Sequence, residues 1–118
     1  MKTNSQYPVI VVENIDESIK MYEDLFGYKV KHTAMTKNNS KVVVIGNDEY
    51  EIDLVEKTGD LKAGLQGLRM NVKDIEEAVN NINKAGLLIL FGPIKTNNGI
   101  NVMFKDKNGV IITLVEHQ

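Results

Sequence analysis

Short apolar runs with strand-like alternation are interrupted twice by stretches of helical spacing, and the same order of elements occurs in both halves of the chain. Residues 7–15, YPVIVVENI, align with residues 67–75, GLRMNVKDI, at an offset of 60. Such internal similarity is the first thing to settle, because it governs the reading of the whole fold. Each segment predicts a strand that leads into a helix. In the first half Asn14 and Glu17 form a capping box, Ile15, Ile19 and Tyr22 fall on one stripe, and Gly27 stops the helix. In the second half Asp74 and Glu77 make the same box, Ile75, Val79 and Ile82 the same stripe, and Gly86 the same stop. Three apolar runs follow each helix: 28–35, 41–45 and 50–55, then 87–90, 100–104 and 110–115. The breaks between them carry Asn38-Asn39, Asn47-Asp48, Asn97-Asn98-Gly99 and Asn108-Gly109, residues that tolerate positive φ and favour hairpin turns. Gly92-Pro93 also reads as a turn. The pattern predicts two βαβββ modules, 7–56 and 67–116, joined by a linker at 57–66.

Alternation sorts the strand side chains into two faces. The helix stripes need an apolar cover, which Ile10, Val12, Ile52 and Leu54 supply in the first module and Leu68, Met70, Val72, Ile112 and Leu114 in the second. Tyr22 and Phe26 are expected to pack under the first helix. The opposite face carries Tyr7, Val9, Val11, Glu51, Asp53 and Val55, and in the second module Gly67, Arg69, Asn71, Ile111, Thr113 and Val115. A lining that mixes apolar and polar groups suits a ligand cavity better than a dry core, where each unpaired polar group costs about 1–3 kcal/mol.

Length and composition narrow the picture. At 118 residues, with 42% apolar and 25% charged, the chain is one soluble globular domain whose two halves are expected to share a core. A net charge of -2 supplies no basic face for nucleic acid, and the run Lys29, Lys31, Lys37 and Lys41 reads as a solvated strand edge. No apolar stretch is long enough to cross a membrane, and the opening MKTNSQ lacks the apolar core of a signal peptide. The absence of cysteine removes disulfides and thiolate chemistry, and a cytoplasmic setting is expected.

The repeated modules, the segment NIDESIKMYEDLFGY after the first strand and the late run FKDKNGVIITLVE together resemble the vicinal oxygen chelate superfamily. That group includes glyoxalase I, bleomycin-binding resistance proteins, fosfomycin-modifying enzymes, methylmalonyl-CoA epimerase and extradiol dioxygenases. The resemblance implies an α+β fold in which tandem βαβββ modules form a curved mixed sheet around a central cavity. Lys107 departs from the family, which usually has proline at that point of the turn. In metal-dependent members the resemblance implies four ligands, one each from the first and last strands of the two modules. Those positions hold Tyr7, Asp53, Gly67 and Thr113 here, of which only Asp53 is an ordinary ligand. A divalent metal is therefore disfavoured and no cofactor is expected. His32 and His117 lack the helical spacing of a chelating pair and read as exposed or edge residues. No Ser-His-Asp or phosphate-loop signature is present.

Arg69 shares a face with Asp53 and offers three alternatives: an ion pair with Asp53 in place of the metal, a two-pronged grip on an anionic ligand, or a position turned out to solvent by strand twist. Tyr7, Asn71 and Thr113 would supply hydrogen bonds to a ligand, with Val9, Val11, Val55 and Ile111 as walls and Met35 and Met103 as further soft surface. The expected function is metal-independent binding of a small molecule, resembling the bleomycin-type binding and resistance proteins. The alternatives are a divergent glyoxalase- or epimerase-like lyase or isomerase, using an altered metal site built on Asp53 or an acid/base pair such as Asp53 and Tyr7, and a protein-interaction module on the same fold. The resemblance also implies a homodimer.

Overall fold

The computed structural model describes residues 3–36, 39–97 and 99–117. Its elements run β1 (Thr3–Val12), α1 (Ile15–Phe26), β2 (Lys29–Met35), β3 (Lys41–Gly46), β4 (Glu51–Glu56), β5 (Gly64–Val72), α2 (Ile75–Lys84), β6 (Leu88–Thr96), β7 (Gly99–Lys105) and β8 (Ile111–Glu116). The chain is α+β and repeats βαβββ twice, as the alternating pattern predicts.

It divides into two compact units. One is Pro8–Gln66, and the other comprises the described residues of Met1–Tyr7 and Gly67–Gln118. In the first, the strand order is β2-β3-β4-β1. Strand β1 runs parallel to β4, with Val9 opposite Asp53 and Val11 opposite Val55, while β2–β3 and β3–β4 are antiparallel. The second repeats this as β6-β7-β8-β5. There β5 runs parallel to β8, with Gly67, Arg69 and Asn71 opposite Ile111, Thr113 and Val115.

Both helices start where the capping boxes place them. The Asn14 side chain accepts from the Glu17 amide at 3.1 Å, and Asp74 does the same for Glu77 at 3.1 Å, each satisfying an amide that the helix leaves without a partner. A Glu116 carboxylate oxygen also accepts from the Ile75 amide at 3.0 Å, placing negative charge at the positive end of α2. Gly27 ends α1 with φ 68, a left-handed conformation that is costly for any residue with a Cβ, whereas α2 ends at Ala85 and Gly86 follows with φ 71.

The buried side chains form two clusters. Under α1, Ile15, Val43, Ile45 and Leu54 are joined by the half-buried Ile10, Val12, Ile19, Tyr22 and Ile52. Under α2, Val72, Ile75, Ala78, Ile82, Val102, Phe104 and Leu114 are joined by Met70, Val79 and Ile112. Each helix buries its stripe against strands of its own unit.

Four local expectations change. Phe26 is 60% exposed and not packed under the helix, with its ring tilted 5.9 Å from that of Tyr22 and 5.8 Å from that of Tyr28. Gly92-Pro93 lies inside β6 at a break in its pairing with β7, not in a turn, since a proline without an amide proton is tolerated where the ladder is already interrupted. The linker is shorter than expected because β5 begins at Gly64, and β1 begins before Tyr7. Among the turn residues, Asn39 has φ 60 and Asp106 accepts from the Asn108 and Val110 amides at 2.8 Å, so the turn containing Lys107 keeps its geometry. Lys37, Asn38 and Asn98 lie outside the described residues.

Leu54 and Leu114, 0% and 2% exposed, anchor the two clusters. Urea denaturation of Leu54→Ala and Leu114→Ala should each show a loss of about 2–5 kcal/mol. Asn14→Ala and Asp74→Ala should each lose about 1 kcal/mol. Core losses no larger than the cap losses would contradict this account of the burial.

Candidate functional site

The face of β5 and β8 turned away from α2 carries Gly67, Arg69, Asn71, Ile111, Thr113 and Val115, brought side by side by the parallel register. Tyr7 of β1 belongs to the same unit. The Arg69 guanidinium carbon stands 4.3 Å from the centroid of the Tyr7 ring, over its electron-rich face. Both residues are half-buried, and this stack on Tyr7 is not among the three alternatives that the sequence leaves open for Arg69.

Beside this pair runs a line of hydrogen bonds. Asn71 Nδ2 donates to Ser5 Oγ at 2.7 Å, and His117 Nε2 lies 3.0 Å from Asn71 Oδ1. A side-chain carbonyl oxygen can only accept, so in this arrangement His117 Nε2 carries the proton. Sequence reasoning misses Ser5 and His117, although the signal is present. Ser5 is two residues before Tyr7 and His117 two after Val115, so period-two alternation reaches both once the strands are extended beyond the expected ends.

The remaining expected site residues, Val9, Val11, Asp53 and Val55, lie in the first unit. There the register sets Val9 opposite Asp53 and Val11 opposite Val55. Val9 and Val11 are buried and Val55 half-buried, and Asp53 is only 6% exposed. No buried side-chain polar atom lacks a hydrogen-bond partner among the described residues, Asp53 included. Met35 is exposed and Met103 half-buried. His32 is exposed on β2, which pairs with β3.

Gly67 decides what the site can hold. It is buried opposite Ile111, and a Cβ added there would collide with the Ile111 carbonyl oxygen and stand 2.8 Å from the carbonyl carbon. No side chain can project from this position unless β5 or β8 moves. The four positions at which metal-dependent relatives are expected to hold their ion thus contain a backbone with no room for a ligand, a neutral hydroxyl at Thr113, a phenol at Tyr7 covered by a guanidinium, and one carboxylate at Asp53. Among the described residues no group of three or more His, Asp or Glu side chains could hold a metal ion. These residues do not fit a resident divalent cation.

A family model, the Glyoxalase/Bleomycin resistance protein/Dioxygenase superfamily, matches residues 5–114. The chain belongs to this superfamily. No curated protein matches this superfamily member in sequence. Among solved structures, a hypothetical protein from Bacillus halodurans C-125 is similar at 16% identity and TM-score 0.83, covering 100% of this chain and 96% of that one. Methylmalonyl-CoA epimerase from Mycobacterium tuberculosis is similar at 18% identity and TM-score 0.79, covering 95% and 86%. A Streptomyces coelicolor methylmalonyl-CoA epimerase variant in complex with 2-nitronate-propionyl-CoA is similar at 18% identity and TM-score 0.80, covering 94% and 92%. At these identities the likeness establishes the fold of the superfamily and no activity.

Gly67→Ala should destabilise this superfamily member by about 1–3 kcal/mol through overpacking against Ile111. Asn71→Ala, which leaves both hydrogen-bond partners without it, should cost about 1–3 kcal/mol. Chemical denaturation measures both, and a neutral Gly67→Ala would show that the two strands have room to separate.

Proposed function

We propose that this superfamily member binds a small organic molecule without a metal ion, in the manner of the bleomycin-type binding and resistance proteins. The observation that carries the reading is Gly67, where the family's ligating side chain is replaced by backbone packed on the Ile111 carbonyl. The adjacent face keeps what a binding surface needs: half-buried apolar groups together with hydrogen-bonding groups fixed in place by Asn71 and by the Tyr7–Arg69 stack. Rigid, mutually satisfied polar groups lose little entropy when a ligand arrives. A cysteine-free chain fits a cytoplasmic setting, and a homodimer is the assembly that the family resemblance implies.

The second reading is an acid–base isomerase or lyase. It is favoured by the shared fold of the methylmalonyl-CoA epimerases and by a buried carboxylate, Asp53.

Metal analysis and a thermal-shift screen separate the two. The purified protein should carry no stoichiometric Ni, Zn, Mn or Fe, and a chelator should leave its melting temperature unchanged. A panel of antibiotics, aldehydes, thiol adducts and CoA esters should contain a ligand that stabilises it by about 2.7 kcal/mol at 100 times its dissociation constant. Arg69→Ala should abolish that gain. A chelator-sensitive stoichiometric metal, or turnover of a CoA ester, would replace the favoured reading with the second.

A further inference from the structure

In the second unit the face turned away from α2 continues from β5 and β8 onto β7 and β6, and the strand register shows what it carries there. Val102, Phe104 and Leu114 are buried under α2 and Ile112 packs against them, so the residues between, Met103 and Thr113, point to the other side. Residues opposite one another on paired strands share a face. Phe91 is opposite Met103, Met103 opposite Thr113 and Thr113 opposite Arg69, which makes one row across all four strands. A second row runs through Leu88, Lys105, Ile111 and Gly67.

The two ends of these rows differ in chemistry. At the β6 end Leu88 is 64% and Phe91 43% exposed, and the half-buried Met103 continues the apolar strip inward. Apolar side chains left in water together, rather than singly, mark a binding surface. Further in, the Thr113 hydroxyl has Arg69 directly opposite and the exposed Lys105 diagonally across on β7. A diagonal of about 7–8 Å is within reach of a lysine side chain. Gly67, diagonal to Thr113 on the other side, adds no side chain that would fill this point. The strands supply no acidic group on this face. Glu116 is the only carboxylate in β5 to β8, and one of its oxygens accepts from the Ile75 amide at the start of α2 at 3.0 Å.

We infer that this face takes an apolar straight-chain carboxylate, its chain lying along Phe91 and Met103 and its carboxylate at Thr113, between Lys105 and Arg69. The inference rests on the metal-free binding proposed above and gives that ligand its chemical class. Strands about 4.8 Å apart put Phe91 about 10 Å from Thr113, a span that an extended chain of about eight carbons covers. A hydroxyl and a cation together hold a carboxylate by charge-assisted hydrogen bonds, and the chain covers apolar surface that water otherwise wets. All the residues concerned lie in the second unit.

The test is a titration of the full chain with octanoate, followed by the amide NMR signals of Met103 and Thr113. Acetate serves as the anion without a chain and 1-octanol as the chain without a charge. Octanoate should give saturable shifts at both amides, and each control should bind about tenfold more weakly. From butyrate to octanoate the affinity should rise about threefold per methylene, and decanoate should add little, since the row ends at β6. Phe91→Ala should weaken octanoate about tenfold, and Lys105→Gln about threefold to fivefold, less at high salt. Both positions are exposed, so the variants should keep the melting temperature of the free protein. Equal binding of 1-octanol, or octanoate titrations unaltered by both substitutions, would overturn the inference. Shifts that follow protein concentration and not octanoate would also overturn it, by showing that a second copy of the chain covers Leu88 and Phe91. Octanoate without effect on a protein that still responds to another member of the ligand panel would overturn this inference alone, whereas octanoate shifts abolished by a chelator would overturn it together with the metal-free reading.

Discussion

The structure rests on the burial of two helix stripes. In each module a helix lays its stripe across one face of a four-strand array, and the residues that receive it, Leu54 in one and Leu114 in the other, have almost no contact with water. Transfer of apolar area from water is the dominant favourable term in folding, and here alternate residues of β1, β3, β4, β5, β7 and β8 are committed to it under the helices. The remaining alternate residues mix buried apolar side chains, Val9, Val11 and Val115, with polar ones, Asp53, Arg69, Asn71 and Thr113. A polar group buried there, such as Asp53, has to be paired.

That division explains how a member of this superfamily can keep the fold while its ligand positions change. Gly67 belongs to the face turned away from α2, and it admits no side chain because β5 and β8 approach each other closely at Ile111. Its neighbours have taken up other partners. Tyr7 lies under a guanidinium and Asn71 joins Ser5 to His117, so these polar groups of the second unit are tied to one another. A divalent ion needs several anionic or strongly donating ligands converging on a point, and these side chains are instead arranged as pairs and a chain.

Much of this architecture is legible in the chain itself. The capping boxes at Asn14 and Asp74, the helix stripes and the two sheet faces follow from local propensity and from the periods 3.6 and 2, which depend on neighbours close in sequence. Strand ends are less legible, because a strand stops where its partner stops and the partner is distant in sequence. Ser5 escapes notice for that reason, as does the continuation of β6 through Gly92 and Pro93. Phe26 shows another limit, since its place on the helix is consistent with burial, but its ring remains exposed at the end of α1.

The sequence alone determined the tandem βαβββ order, the membership of each sheet face and the absence of an ordinary ligand set at positions 7, 53, 67 and 113, because these depend on residue identity and short-range periodicity. The tertiary structure decided the rest. The stack of Arg69 on Tyr7, the Ser5–Asn71–His117 line, the closeness of Gly67 to Ile111 and the row from Phe91 to Arg69 all join residues that are far apart in the chain. Their geometry depends on strand register, twist and backbone approach, which are properties of paired strands and are not encoded in any single segment.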